Sequence, residues 1–185
     1  MQKEACPVGN SKHSYESLAQ KLDKLVTDVV NLLILRGKII ATAESCTGGL
    51  ISELITSVPG SSQVFELGIC TYANRMKQKY LDVPEDELNS FGAVSKEVAL
   101  SMVRGLKKAS DADMCISVTG VAGPDGGTPD KPVGTVYAGF IYEDREFVEL
   151  FRLYDLDDMS RDSVRNNTAA CVFEVIQSLL MEEVM

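Results

Sequence analysis

Apolar residues first recur with a helical period in the segment that opens at Tyr15. Leu18, Leu22, Leu25, Val26, Val29, Leu32 and Leu33 follow at three- and four-residue steps, with Lys21, Asp23, Lys24 and Asp28 between them. That spacing predicts an amphipathic helix, and Gly37 supplies its stop signal. Residues 38–43 are short and β-branched and read as a buried strand. Residues 44–49 break it, and a helical period resumes over 50–55. A further strand is predicted over 64–72, a short polar helix over 74–80, and a turn or helix from Pro84. Glu85 to Glu87 then fall in a first turn, where acids suit the helix dipole. Ser95 reads as an N-cap for a helix whose apolar face carries Val98, Leu100, Met102, Val103 and Leu106. Residues 114–118 form another buried-type strand. Two last strands, 133–142 and 147–154, are joined by a turn at Glu143-Asp-Arg145. Asp157, Asp158 or Ser160 caps a final helix carrying Val164, Ala169, Val172, Val175, Ile176 and Leu179. Alternating strands and helices with one hairpin predict an α/β protein, a three-layer α/β/α sandwich with a mixed, mostly parallel sheet. One domain is expected over residues 15–185, with residues 1–14 as a flexible N-terminal extension.

Composition narrows what such a domain does. A chain of 185 residues buries a full core without metal or disulfide staples. Lys and Arg number 18 and Asp and Glu 27, a net charge of −9, which opposes a nucleic-acid partner. No apolar run approaches a membrane span and no signal-peptide core is present, so no membrane partner is expected. The five cysteines contain no Cys-x-x-Cys pair. They read as reduced thiols of a cytoplasmic protein. There is a single histidine, His13, in the polar N-terminal stretch. A site of several histidines around zinc is excluded, and a Ser-His-Asp site would have to be built on that one residue. Chemistry without imidazole is the expectation.

Two glycine-rich loops follow buried strands: residues 44–49, and residues 119–127. In open α/β sheets such loops gather at the carboxyl edge of the strands, where ligands bind. Neither loop spells a Walker or Rossmann motif. Glycine still lets backbone N–H groups approach a phosphate or carboxylate. Glu44-Ser-Cys-Thr-Gly-Gly49 offers three nucleophiles, Ser45, Cys46 and Thr47. An equal alternative is that Ser45 or Thr47 only caps the following helix. A nucleophile needs a base, and with His13 badly placed a lysine of lowered pKa is the natural substitute. Lys38, Lys77 and Lys131 are the candidates.

Several motifs together carry a resemblance. Thr42-Ala-Glu-Ser-Cys-Thr-Gly-Gly49, Thr71-Tyr-Ala-Asn74 with Lys77, Gly92-Ala-Val-Ser95, and Gly120-Val-Ala-Gly-Pro-Asp-Gly-Gly127 with Lys131-Pro-Val-Gly-Thr135 occur in order. With that spacing the chain, from about Tyr15 onward, resembles the CinA C-terminal domain family. Stand-alone members of that family are nicotinamide-nucleotide amidohydrolases. The resemblance implies hydrolysis of the carboxamide of nicotinamide mononucleotide to nicotinate mononucleotide and ammonia, with no metal or other cofactor. It implies Ser45 as nucleophile and Tyr72 and Lys77 as its partners. Lys77 would take the Ser45 proton directly or through Tyr72, and N–H groups beside Thr47 and Gly48 would hold the oxyanion. Thr119, Gly120, Ala122, Gly123 and Gly126 are the expected substrate contacts in the second loop.

Arg161 and Arg165 match the family's R-x-x-x-R pattern and are candidates for the phosphate, although ordinary salt bridges are an equal alternative. The family has Gly-Asp before the first arginine, and this chain has Met159-Ser160, which leaves the conformation there open. Ala73 also replaces a common Ser. A homodimer or larger homo-oligomer is the family expectation. Longer members join this domain to a nucleotide-processing domain for which this chain has no room, so a stand-alone enzyme is expected. The alternative is a non-catalytic nucleotide-sensing or partner-binding domain of the same fold.

Overall fold

The computed structural model describes residues 15–182. The predicted extension at 1–14, His13 with it, and residues 183–185 lie outside the described residues. Helix α1 spans Tyr15–Arg36, β1 Ile40–Glu44, α2 Leu50–Ser57, β2 Phe65–Cys70, α3 Asn74–Leu81, α4 Glu85–Phe91 and α5 Lys96–Ser110. Strand β3 covers Met114–Gly120, β4 Thr135–Tyr142, β5 Arg145–Arg152, and α6 Arg161–Glu182. The strands form one sheet in the order β2-β1-β3-β4-β5. β1 pairs in parallel with β2 and β3, β3 is antiparallel to β4, and β4 to β5. Four of the five strands therefore point the same way, and the sheet is mixed.

The period of two along each strand sorts side chains between two unequal cores. Ile40 of β1, Met114, Ile116 and Val118 of β3, and Phe140 and Tyr142 of β4 face α1, α2 and α6. The other face is made of small residues, with Ala41, Ala43 and Cys115 against α5. Small side chains let α5 lie close: Ser117 Oγ donates to the carbonyl of Ala99 at 2.6 Å. Gly105 lets α3 in as well, since a Cβ there would stand 1.9 Å from the Leu81 carbonyl oxygen. β1 is buried at every position, as expected of a strand covered on both faces.

Boundaries differ from the sequence expectation in instructive places. The hairpin turn is two residues, Glu143 and Asp144, with Tyr142 paired to Arg145. Glu143 takes a left-handed φ of 53°, so β5 starts at Arg145 rather than Phe147. Ser95 caps α5 as predicted, its Oγ accepting from the Val98 N–H. Of the three candidates for α6, Ser160 is the cap: its Oγ accepts from Ser163 N–H at 3.2 Å. Asp158 instead accepts from Ser160's own N–H and hydroxyl.

Candidate functional site

Parity along β1 decides which side of the sheet each residue of the first glycine-rich turn serves. Ile40, Thr42 and Glu44 share the face that carries α2, so the Glu44 side chain meets the start of that helix. Glu44 is 1% exposed. Its Oε2 accepts from the N–H groups of Gly49 and Ile51, and its Oε1 from the N–H and hydroxyl of Ser52. The helix is thus capped by the residue before the turn. Neither Ser45 nor Thr47 performs the capping that sequence left open, and Gly49 stands at the N-cap position without a side-chain bond.

Ser45 turns toward the α3 side. Lys77 and Leu81 lie one turn apart on α3 and are its two buried residues. Lys77 is 1% exposed, and its Nζ sits 2.9 Å from Ser45 Oγ, 2.8 Å from the Thr71 carbonyl oxygen and 3.2 Å from that of Tyr72. Those three acceptors match the three N–H donors of an ammonium. A neutral amine keeps the two carbonyl bonds and turns its lone pair to Ser45, whose hydroxyl then donates. Burial pushes Lys77 below the ordinary lysine value, with the nearby Cys46 and Cys70 thiols pulling weakly the other way. The rival lysines are elsewhere: Lys38 pairs with Glu143, and Lys131 donates to the Phe91 carbonyl at the end of α4. Cys46 is 6% exposed, and burial pushes its thiol up to about 12, which leaves it un-ionised.

Above Ser45 and Lys77 opens a cleft of about 300 Å³. Its walls include Tyr72 and Asn74 from the start of α3, Ala93 and Val94 before α5, and the second glycine-rich loop. Thr119, Gly120, Ala122, Gly123 and Gly126 all line it, as does Arg161. Several expected roles come out differently. Tyr72 is 60% exposed at the rim, and its hydroxyl accepts from Arg161 Nη2 at 2.7 Å. Among the described residues that hydroxyl makes no bond to Ser45 or Lys77, so the direct route between those two needs no relay. The Thr119 hydroxyl donates to the Ala93 carbonyl at 2.7 Å and shapes the wall. Arg161 also donates to the Gly123 carbonyl at 2.8 Å, linking α6 to the loop.

Thr47, Gly48 and Arg165 do not line the cleft. The Gly48 N–H donates to the Ser45 carbonyl at 3.1 Å, which removes it as the expected oxyanion donor. Thr47 is fully buried and its hydroxyl has no partner among the described residues. Both Nε and Nη2 of Arg165 donate to the Thr47 carbonyl, at 3.0 and 2.8 Å. Arg165 is therefore a brace behind the turn, four residues and one helical turn from the arginine that faces the cleft. Asn74 and Asp125 are cleft residues that sequence reasoning quoted inside motifs without assigning a role. For Asn74 the signal was its position one turn before Lys77 on α3. Among the described residues no three His, Cys, Asp or Glu side chains gather as a metal site would require, and no helix is long and apolar enough to cross a membrane.

The chain matches the CinA C-terminal domain profile over residues 22–180. It belongs to the CinA C-terminal domain family. CinA-like proteins from Syntrophotalea carbinolica and Thermotoga maritima are each 41% identical, over 165 and 169 residues, which is 89% and 91% of this chain. Those stretches are 37% and 40% of the relatives, so the chain spans well under half the length of the curated CinA-like proteins it matches. Among solved structures, the competence/damage inducible protein CihA from Agrobacterium tumefaciens superposes with a TM-score of 0.81 at 35% identity, covering 85% of this chain and 94% of that one. A CinA-superfamily protein from Klebsiella pneumoniae gives 0.81 at 26% identity, over 87% and 98%. The CinA fold seen here, a five-stranded mixed sheet between helical layers, is the one those proteins share.

Proposed function

We propose that this CinA-family domain is an amidohydrolase that converts nicotinamide mononucleotide and water to nicotinate mononucleotide and ammonia. The observation that carries the reading is the 2.9 Å contact between Ser45 Oγ and a buried lysine whose amine is held below its ordinary pKa. In this scheme neutral Lys77 accepts the Ser45 proton while Oγ attacks the carboxamide carbon. The tetrahedral oxygen takes N–H donors from the nucleophile turn. Lys77 then returns the proton to the departing nitrogen; the C–N bond breaks, ammonia leaves, and an acyl-Ser45 ester remains. Water, deprotonated by Lys77, cleaves that ester to the carboxylate and restores Ser45. The volume of the cleft lies at the lower end of the roughly 300–1,000 Å³ of small-ligand sites. Arg161 and the N–H groups of the second loop take the phosphate, an assignment that suits a guanidinium. Tyr72 is proposed as a rim residue that Arg161 orients.

Incubation of the purified chain with nicotinamide mononucleotide tests the proposal. Ammonia and nicotinate mononucleotide should appear in equal amounts with the wild type and not with Ser45→Ala. Saturable binding with no ammonia would support the non-catalytic nucleotide-sensing reading instead. Ammonia release undiminished in Ser45→Ala would remove Ser45 as nucleophile.

A further inference from the structure

We infer that Glu44 is a positioning residue for Ser45, and that it closes the start of α2 to anions so that the oxyanion falls to the N–H of Cys46, which lines the cleft. This rests on Ser45 being the nucleophile. A helix start usually offers its unpaired N–H groups to a ligand anion. Here every one from residue 48 to residue 52 is engaged. Gly48 donates to the Ser45 carbonyl and Leu50 to that of Thr47, at 3.1 and 3.4 Å. Gly49, Ile51 and Ser52 donate to the Glu44 carboxylate at 3.0, 3.1 and 2.8 Å. The buried carboxylate is the resident anion of this helix. By contrast, the Cys46 N–H donates to no backbone oxygen among the described residues and lies against its own thiol sulfur, at a residue that lines the cleft.

Glu44 also fixes the turn from its other end. Its own carbonyl accepts from Thr71 N–H at 2.9 Å, and the Ser45 N–H donates to Val118 at 3.0 Å. One residue thus ties β1 to the segment carrying Lys77 through its backbone, and to α2 through its side chain. Ser45 lies between the two ties. Its Oγ must stay within reach of Lys77, and a misplacement of about 1 Å costs as much as a hundredfold in rate. Glutamine at position 44 has one acceptor oxygen and one N–H₂. It leaves at least one of the α2 donors facing another donor, so the turn must shift.

The test uses a fluorophosphonate, which bonds to an activated serine with loss of fluoride whatever the natural substrate is. Mass spectrometry should find the label on Ser45 of the wild type. Glu44→Gln, folded by circular dichroism, should label roughly tenfold to a hundredfold more slowly. Its turnover of nicotinamide mononucleotide should fall in kcat by a similar factor, with KM within about twofold of wild type. Should Glu44→Gln fail to fold, Ser52→Ala removes only one of the four bonds and should slow labelling roughly threefold. In a crystal of the labelled enzyme the phosphonyl oxygen should lie within hydrogen-bond reach of the Cys46 N–H. Wild-type labelling rates in the folded variant, a loss confined to KM, or an oxygen bound at Gly48 or Gly49 would overturn the inference. A wild type that labels at Ser45 yet releases no ammonia would defeat the substrate assignment alone. A wild type that does not label at Ser45 defeats both.

Discussion

Two loops leave the carboxyl edge of neighbouring parallel strands, and both are rich in glycine, yet they are built oppositely. The turn after β1 is buried from Ser45 to Thr47, exposed only at its glycine tip, and tied from several sides. Glu44 holds its far end, Arg165 grips the Thr47 carbonyl, and Val118 receives the Ser45 N–H. The loop after β3 is exposed from Pro124 to Asp130 and is held at few points, chiefly by Arg161 on Gly123 and by Lys131 on Phe91. Reaction geometry tolerates small errors poorly, whereas recognition of a small anion needs only a concave set of donors. The proposed division of labour follows: chemistry on the over-determined turn, recognition on the loosely held loop. The two loops should therefore fail in different kinetic constants.

The largest effect expected is on the chemical side. Lys77→Met keeps the apolar stem and removes the proposed base, and should lower kcat roughly 10²- to 10⁴-fold. In the wild type kcat/KM should rise with pH as Lys77 loses its proton, with a midpoint below the ordinary lysine value of 10.5. Unfolded, Lys77 keeps that proton up to the ordinary value, and folded it gives it up earlier. Stability should therefore also climb with pH between the two values, and Lys77→Met should flatten that slope. A profile of kcat/KM that rises only above pH 10.5 would mean an unperturbed lysine and would dissolve the contrast between the loops.

Much of this was legible in the sequence, for stated reasons. β1 is a short β-branched run and β3 a short run of buried type, each followed by a glycine-rich stretch, so their burial and the loops after them could be read directly. Lys77 was reached as one of three lysines from chemistry and singled out by resemblance. Its burial depends on α3 packing against α5, a long-range event that leaves no local trace. Glu44 was visible but silent, because it caps a helix that begins six residues later, across a turn. No local capping box has that spacing. Arg161 and Arg165 looked equivalent because they sit one turn apart on one helix. Only the position of α6 against both loops separates them, placing the first in the cleft and the second behind the turn after β1.

That separation gives the next test in size. Arg165→Ala removes both charge-assisted bonds to Thr47 and should destabilise the protein by about 1–3 kcal/mol. It should lower kcat more than it raises KM. Arg161→Ala leaves the turn alone and should raise KM about tenfold, about 1.4 kcal/mol of binding, while loss of its bonds to the exposed Tyr72 and to the Gly123 carbonyl should lower the melting temperature less than Arg165→Ala does. Thermal melts beside steady-state kinetics check both. Equal effects of the two substitutions on KM would mean that the arginines act together on the ligand after all.

The smallest effect comes from one methyl group placed on each loop. Gly48 and Gly126 both have left-handed backbone, with φ of 64° and 90°. A Cβ at either meets nothing closer than ordinary contact: Arg165 Nη2 at 4.0 Å for Gly48, and Val121 Cγ1 at 3.9 Å for Gly126. Alanine therefore imposes backbone strain without a clash, about 1–2 kcal/mol in each case. The strain is matched, and what surrounds it is not. Gly48 is exposed as well, but the groups on either side of it are held by hydrogen bonds, so relief passes through Ser45, whose carbonyl accepts the Gly48 N–H. At Gly126 the exposed loop relaxes into solvent. Gly48→Ala should lower kcat severalfold with KM little changed, whereas Gly126→Ala should raise KM by two- to threefold and leave kcat alone, changes of under about 1 kcal/mol. The same ratio of kcat to KM effects in both variants would show that the two loops move as one unit.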